Sequence, residues 1–122
     1  MSALPRLFLD LFWSTSRVAE DATGELAGFV VGVLSPSDPA EAYVHFVGVA
    51  PTARGQGLAE RLYAAFFALA VADGRRVVRA VTSAVNSGSI AFHTALGFAV
   101  TGPVEGHNGP GSALMLFERT LP

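Results

Sequence analysis

The chain has no lysine and no cysteine among its 122 residues. Without lysine the nucleotide-cradling pattern GxxxxGK[ST] cannot occur, which disfavours nucleotide hydrolysis. Without cysteine there are no disulfides, no thiolate metal ligands and no cysteine nucleophile. Charge is scarce too: charged residues make up 15% of the chain and the formal net charge is -2. That balance supplies no cationic surface for a nucleic acid. Long apolar runs are also missing. The longest, Leu62 to Ala72, falls short of the roughly 20 residues that span a bilayer, so no membrane partner is expected. The N-terminal stretch holds Pro5 and Asp10 inside its apolar part, a poor export signal, and a cytoplasmic location is the default. His45, His93 and His107 are scattered without carboxylate spacing, so no metal site is expected.

What the chain has in quantity is apolar side chains, 51% of its residues. The length suits one domain over residues 1–122 with a single core. An apolar surplus in so small a domain leaves room for a homodimer. Leu4 to Phe12 reads as a short helix, and the segments FWSTSRVAED and ELAGFVVGVLS flank a turn at Ala22-Thr23-Gly24 as a hairpin. Tyr43 to Val49 reads as a strand stopped by Pro51. From Gly57 to Ala72, Leu58, Leu62, Phe66 and Leu69 form an apolar stripe with Ala59, Tyr63, Phe67 and Ala70 beside it. Asp73-Gly74 ends that helix, glycine suiting the left-handed position past the C-cap. RRVVRAVTSAV is the next strand, SGSIAFHTALG a short helix, and FAVTGPVEG and SALMLFERTL two last strands around the loop GHNGPGSAL. The order implies a mixed α/β fold with a central parallel strand–helix–strand crossover.

Where the middle strand gives way to the long helix stands RGQGLA, residues 54 to 59. A helix begins with unpaired N–H groups and the positive end of its dipole, so its first turn attracts anions. Gly55 and Gly57 let the backbone approach a phosphate without a Cβ in the way, and Arg54 adds a permanent cation. In isolation the blander account, a glycine-rich turn entering a helix, is the better one. The dinucleotide fingerprint GxGxxG fails here, because Gly55-Gln56-Gly57 is followed by Leu58, Ala59 and Glu60.

The wider context decides between them. VGVAPTARGQGLAERL resembles the acetyl-CoA-binding segment of the GCN5-related N-acetyltransferases, whose pattern is Q/R-x-x-G-x-G/A; Arg54, Gly57 and Ala59 fill its defined positions. NSGSIAFHTALGF resembles the family's later pattern N-x-x-[AS]-x-x-x-Y-x-x-x-G-F at Asn86, Ser89, Gly97 and Phe98, with His93 in place of tyrosine. The resemblance runs from about residue 13 onward and implies a mostly antiparallel sheet with the first strand and first helix reduced or missing. The part so shortened helps wall the acceptor site in the family. Either the start is truncated, or the acceptor groove is open or completed by a second subunit.

The resemblance implies transfer of an acetyl group from acetyl-CoA, as acyl-donor substrate, to a primary amine of a small-molecule or amino-acid-like acceptor. A CoA-binding module without transfer activity is the competing reading. Cofactor contacts then fall to the backbone of Val47, Gly48 and Val49, to Arg54, Gly55, Gln56, Gly57, Leu58 and Ala59, and to Asn86 and Ser89. Gly48 supports a bulge or splay in the strand as well as it supports close packing. Asn86 also suits a cap on the following helix. His93 occupies the general-acid position. Strand alternation puts Tyr43, His45 and Val47 on one face, Val44 and Phe46 on the other, with Glu41 further back in the parity of His45. His45 and Glu41 are therefore the candidates for a base, alongside water-relayed deprotonation with no dedicated base. Trp13, Tyr43 and Phe46 are candidates for the acceptor pocket.

Overall fold

In a computed structural model of the chain, residues 12–105 and 113–122 are described. The helix expected over Leu4 to Phe12 lies outside them except for Phe12, as do residues 106–112 of the expected loop, His107 included. Six strands form one sheet in the order β1-β2-β3-β4-β6-β5: β1 Arg17–Glu20, β2 Leu26–Leu34, β3 Glu41–Val49, β4 Val77–Ser83, β5 Ala99–Glu105 and β6 Ala113–Thr120. Helix α1, Leu58–Ala72, links β3 to β4, and α2, Ser87–Ala95, links β4 to β5. Only β3 and β4 run parallel; every other neighbouring pair is antiparallel. The mixed, mostly antiparallel sheet with a parallel central crossover is the architecture expected from the sequence.

Helix α1 follows its 3.6-residue pattern. Leu62, Tyr63, Phe66 and Ala70 are buried and meet Val30, Ala42, Val44, Val78, Ala80 and Phe117 of the sheet in the core. The helix opens after Gly57, at φ 72°, and closes at Asp73 with Gly74 left-handed at φ 79°. Close approach of α1 to the sheet depends on β2. A Cβ on Gly32 would stand 2.2 Å from the Phe66 ring, and one on Gly28 would stand 2.9 Å from Leu58.

Two irregularities shape β3. First, its parallel pairing with β4 consists of Glu41↔Val77, Ala42↔Val78 and Tyr43↔Arg79 and then stops. The near end is pinned by Arg75, whose guanidinium donates to the carbonyls of Ser35, Asp38 and Glu41. Second, Val31 pairs with Phe46 and Gly32 with Val44, so His45 is an extra residue in the ladder with β2. Such a bulge resets the alternation of side chains. Ala42 and Val44 lie in the core beneath α1, and after the bulge it is Val47 that packs against that core. The expected grouping of Val47 with Tyr43 and His45 is thereby corrected. The break also sits three residues before Gly48, the residue whose composition suggested it.

Gly32→Ala is expected to destabilise the fold by about 1–3 kcal/mol, because Phe66 is fully buried and has nowhere to swing. Urea unfolding followed by far-UV circular dichroism measures it; an unchanged midpoint would show that α1 shifts freely on the sheet.

Candidate functional site

Beyond Tyr43 and Arg79 the two parallel strands diverge, and a cleft of about 230 Å³ opens between them. Its walls are Val44 to Val47 of β3 and Ala80 to Thr82 of β4; Asn86, Ser89 and His93 of α2 and Tyr63 of α1 complete it. A second hollow of about 320 Å³ lies at the start of α1, lined by Val49, Arg54, Gly55, Gly57, Leu58, Ala59 and Phe92 among others. The two together follow β3 toward its end.

The second hollow has the form of an anion seat. Gly55 and Gly57 adopt φ of 80° and 72° with no atom within 4 Å of where a Cβ would stand. Glycine is needed there for backbone conformation, not for space. The first intrahelical bond of α1 runs from Arg61 N–H to the Gly57 carbonyl, so the amides of Leu58, Ala59 and Glu60 have no acceptor within the helix. Arg54 is exposed beside them. Gln56 turns elsewhere and lines a different hollow with Glu20, Asp21 and Arg61. Gly48 lines neither the cleft nor the anion seat.

On α2, Asn86 accepts from the Ser89 amide at 3.0 Å and so caps the helix, while still lining the cleft. One turn on, His93 is 4% exposed. Its ring stacks on Phe117, centroids 4.2 Å apart and planes at 6°, with Phe92 and Phe98 edge-on to it. Nδ1 lies 2.8 Å from the Ser89 carbonyl and 3.3 Å from the Ser89 hydroxyl. A carbonyl only accepts, so Nδ1 carries the hydrogen and Nε2 is bare. Tyr63 then donates its hydroxyl to Nε2 across 2.6 Å. Burial depresses the His93 pKa, opposed in part by the Ser89 carbonyl. Burial, with Tyr43 adding to it, raises that of Tyr63.

The remaining candidates lie toward the sheet face opposite α1. His45, at the bulge, is exposed and lines the cleft, with Nδ1 3.4 Å from the Tyr43 hydroxyl. Phe46 borders the same cleft at 40% exposure, whereas Trp13, 74% exposed, does not. Glu41 stays at the paired end of β3. Its carboxylate accepts from Arg79 Nε at 2.7 Å, and Arg79 reaches Glu118 at 3.2 Å. The fold thus brings His45, Val47, Asn86, Ser89 and His93 to one cleft and Val49, Arg54, Gly55, Gly57, Leu58 and Ala59 to the adjoining seat, leaving Glu41, Gly48 and Gln56 outside both. Tyr63 was missed. In the sequence it is one more apolar-stripe residue, and the signal was a phenol in a buried position that requires a partner for its hydroxyl.

Among the described residues no three His, Cys, Asp or Glu side chains gather as a metal site, and no helix is long and apolar enough to cross a membrane. The profile of the acetyltransferase (GNAT) family matches residues 3–98. The chain is similar to Ard1 from Thermoplasma volcanium, with TM-score 0.82 and 24% identity over 100% of this chain and 80% of that one. It is similar to yncA from Salmonella typhimurium, solved with its cofactor acetyl-CoA: TM-score 0.76, 22% identity, 95% of this chain and 71% of that one. Naa20 from Chaetomium thermophilum, in complex with a bisubstrate analogue, gives TM-score 0.72 and 26% identity over 96% and 70%. No curated protein sequence matches the chain.

The depressed His93 pKa has a thermodynamic consequence. Between its folded value and the ordinary 6.5, the unfolded chain binds a proton that the folded chain refuses. The stability associated with neutral His93 is complete above that window and is lost as pH falls through it. Denaturant midpoints at pH 7.5 and 5.5 are expected to drop on acidification by a larger margin in the wild type than in His93→Gln; equal drops would show that His93 titrates as in a free peptide.

Proposed function

This chain belongs to the acetyltransferase (GNAT) family, and from that premise we propose that it moves an acetyl group from acetyl-CoA directly to a primary amine of a small-molecule or amino-acid-like acceptor. The observation that carries this reading is the parting of β3 from β4 after three residue pairs. It leaves a strand edge and a cleft that run into an anion seat. In this reading the seat takes the pyrophosphate: the free amides at the start of α1 and the Arg54 guanidinium face it. Backbone groups of Val47 and Val49 pair with the amides of the pantetheine arm, without the Gly48 first expected beside them, and Asn86 borders its path. The thioester then rests near the bulge, with a main-chain amide of β3 available to polarise its carbonyl.

The amine approaches from the sheet face opposite α1. His45, exposed at the bulge, is the base we assign to it. Glu41 is a poorer one, because its carboxylate is already engaged by Arg79. Attack by nitrogen forms the C–N bond, the C–S bond breaks, and sulfur departs with the electron pair. His93, at the position the family gives to its general acid, belongs to the sulfur end of the cleft.

The direct test is calorimetry with acetyl-CoA followed by thiol release against a panel of small primary amines, amino acids and a short peptide with a free N-terminus. Binding with thiol release supports the transferase. Binding without release against any acceptor points to a non-catalytic CoA-binding module, and no binding removes both readings.

Arg54→Ala is expected to weaken acetyl-CoA binding about 10-fold or more, the scale of a hydrogen bond to a charged group. Its effect on acetyl-pantetheine, which lacks the pyrophosphate, should be small. Equal losses with both donors would move Arg54 away from the phosphate.

A further inference from the structure

His93 stands where a proton donor to sulfur is expected, yet both of its nitrogens are engaged. Nε2 receives the Tyr63 hydroxyl at 2.6 Å and the Nδ1 hydrogen points at Ser89, whose carbonyl is 2.8 Å away and whose hydroxyl oxygen is 3.3 Å away. The ring is buried, and Tyr63 is closed to solvent altogether. Although both border the cleft, neither has a donor hydrogen left for a ligand. Ser89 can supply one: it is half-buried and lines the cleft. Its amide is taken by Asn86 at 3.0 Å and its carbonyl by His93. The Nδ1 hydrogen bonds the carbonyl first, at 2.8 Å, and reaches the hydroxyl oxygen only as a second, longer acceptor at 3.3 Å; with no lone pair on Nδ1 to accept it, the hydroxyl hydrogen is left to donate elsewhere.

We propose that Tyr63, His93 and Ser89 form one hydrogen-bonded array whose donors all point the same way, from the core to the cleft, and that the Ser89 hydroxyl is the catalytic group that meets the departing sulfur. Tyr63 and His93 are positioning residues. Each donor polarises the next, so the terminal hydroxyl becomes a stronger donor than an isolated serine. The direction is fixed at both ends. A bare Nδ1 would set its lone pair against the Ser89 carbonyl, and with Nδ1 protonated the neutral ring offers Tyr63 only an acceptor. The groups facing the imidazole from the packed elements are Tyr63 of α1, Phe98 at the start of β5 and Phe117 of β6. Burial favours the neutral ring and outweighs the opposing pull of the Ser89 carbonyl, and the neutral ring holds the array in this polarity.

The proposal rests on the transfer reaction above and specifies its sulfur end. As the amine nitrogen bonds to the carbonyl carbon, the C–S bond breaks and sulfur takes its electron pair. The Ser89 hydroxyl hydrogen-bonds the negative charge that develops there and keeps its own proton. Nitrogen gives up one proton to His45, which returns it to solvent, and the thiolate takes one from solvent as coenzyme A leaves, so the account balances. A serine at the first turn of α2, backed by a histidine and a phenol, thereby stabilises the sulfur where the motif's tyrosine is replaced by His93.

The test is a double-mutant cycle. Ser89→Ala should lower kcat by roughly 10- to 100-fold, the scale of one donor to a developing charge, with little change in the acetyl-CoA dissociation constant. Ser89→Thr, which retains the hydroxyl, should recover much of it. Tyr63→Phe should lower kcat less, and should lower it no further once Ser89 is alanine; a packing role would cost the same factor in both backgrounds. In the free protein, the imidazole nitrogen shifts of His93 should show a protonated Nδ1, with Nε2 losing its hydrogen-bond signature in Tyr63→Phe. A wild type that releases thiol beside a Ser89→Ala that turns over equally overturns the array alone. A wild type that releases none against the amine panel overturns the transfer reading and the array with it.

Discussion

The fold turns on a pairing that stops. β3 and β4 are joined for three residues and then separate, although both continue, β3 to Val49 and β4 to Ser83. Buried backbone N–H and C=O groups are seldom left without partners, so a parting in mid-sheet is tolerated where water or a ligand can take the place of the missing strand. Arg75 secures the joined end through three carbonyls, and the bulge at His45 turns the free end. The cleft and the exposure of His45 and Phe46 follow from that geometry.

The glycine-rich turn before α1 and the cap of α2 were readable because their determinants are local. A left-handed glycine before a helix, an arginine next to it and an asparagine three residues ahead of a serine impose their conformations over a few residues, and the chain carries them in order. Helix α1 announced itself by period. The bulge was not readable in the same way. It arises from the register between β2 and β3, which no window on β3 contains, and one inserted residue was enough to return Val47 to the core side. Glu41 shows a similar limit, since the cation that engages it comes from β4 and the second carboxylate from β6. Tyr63 and His93 lie 30 residues apart, and only the packing of α2 beside α1 makes them partners.

The interior of the site is aromatic, its entrance polar. His93 sits between Phe117, Phe92 and Phe98, surroundings that penalise charge and reward a satisfied neutral ring. At the mouth are Asn86, Ser89 and His45, half-buried or exposed. A buried polar group in such a core is costly unless each of its atoms is partnered, and among the described residues no buried side-chain nitrogen or oxygen is without a partner. That completeness makes the ring a rigid element, one that sets orientation in preference to changing charge.

The two glycines on the inner face of β2 carry a metrical consequence. With Gly28 beneath Leu58 and Gly32 beneath Phe66, α1 meets β2 at two points where no side chain of the strand intervenes to adjust its height. The start of that helix is the proposed anion seat, and the bulge of β3 is a neighbour of the same strand. The span from one to the other is therefore a fixed gauge of the chain. In the proposed transfer reaction, such a scaffold would select by the length of a ligand's arm as much as by the groups at its ends.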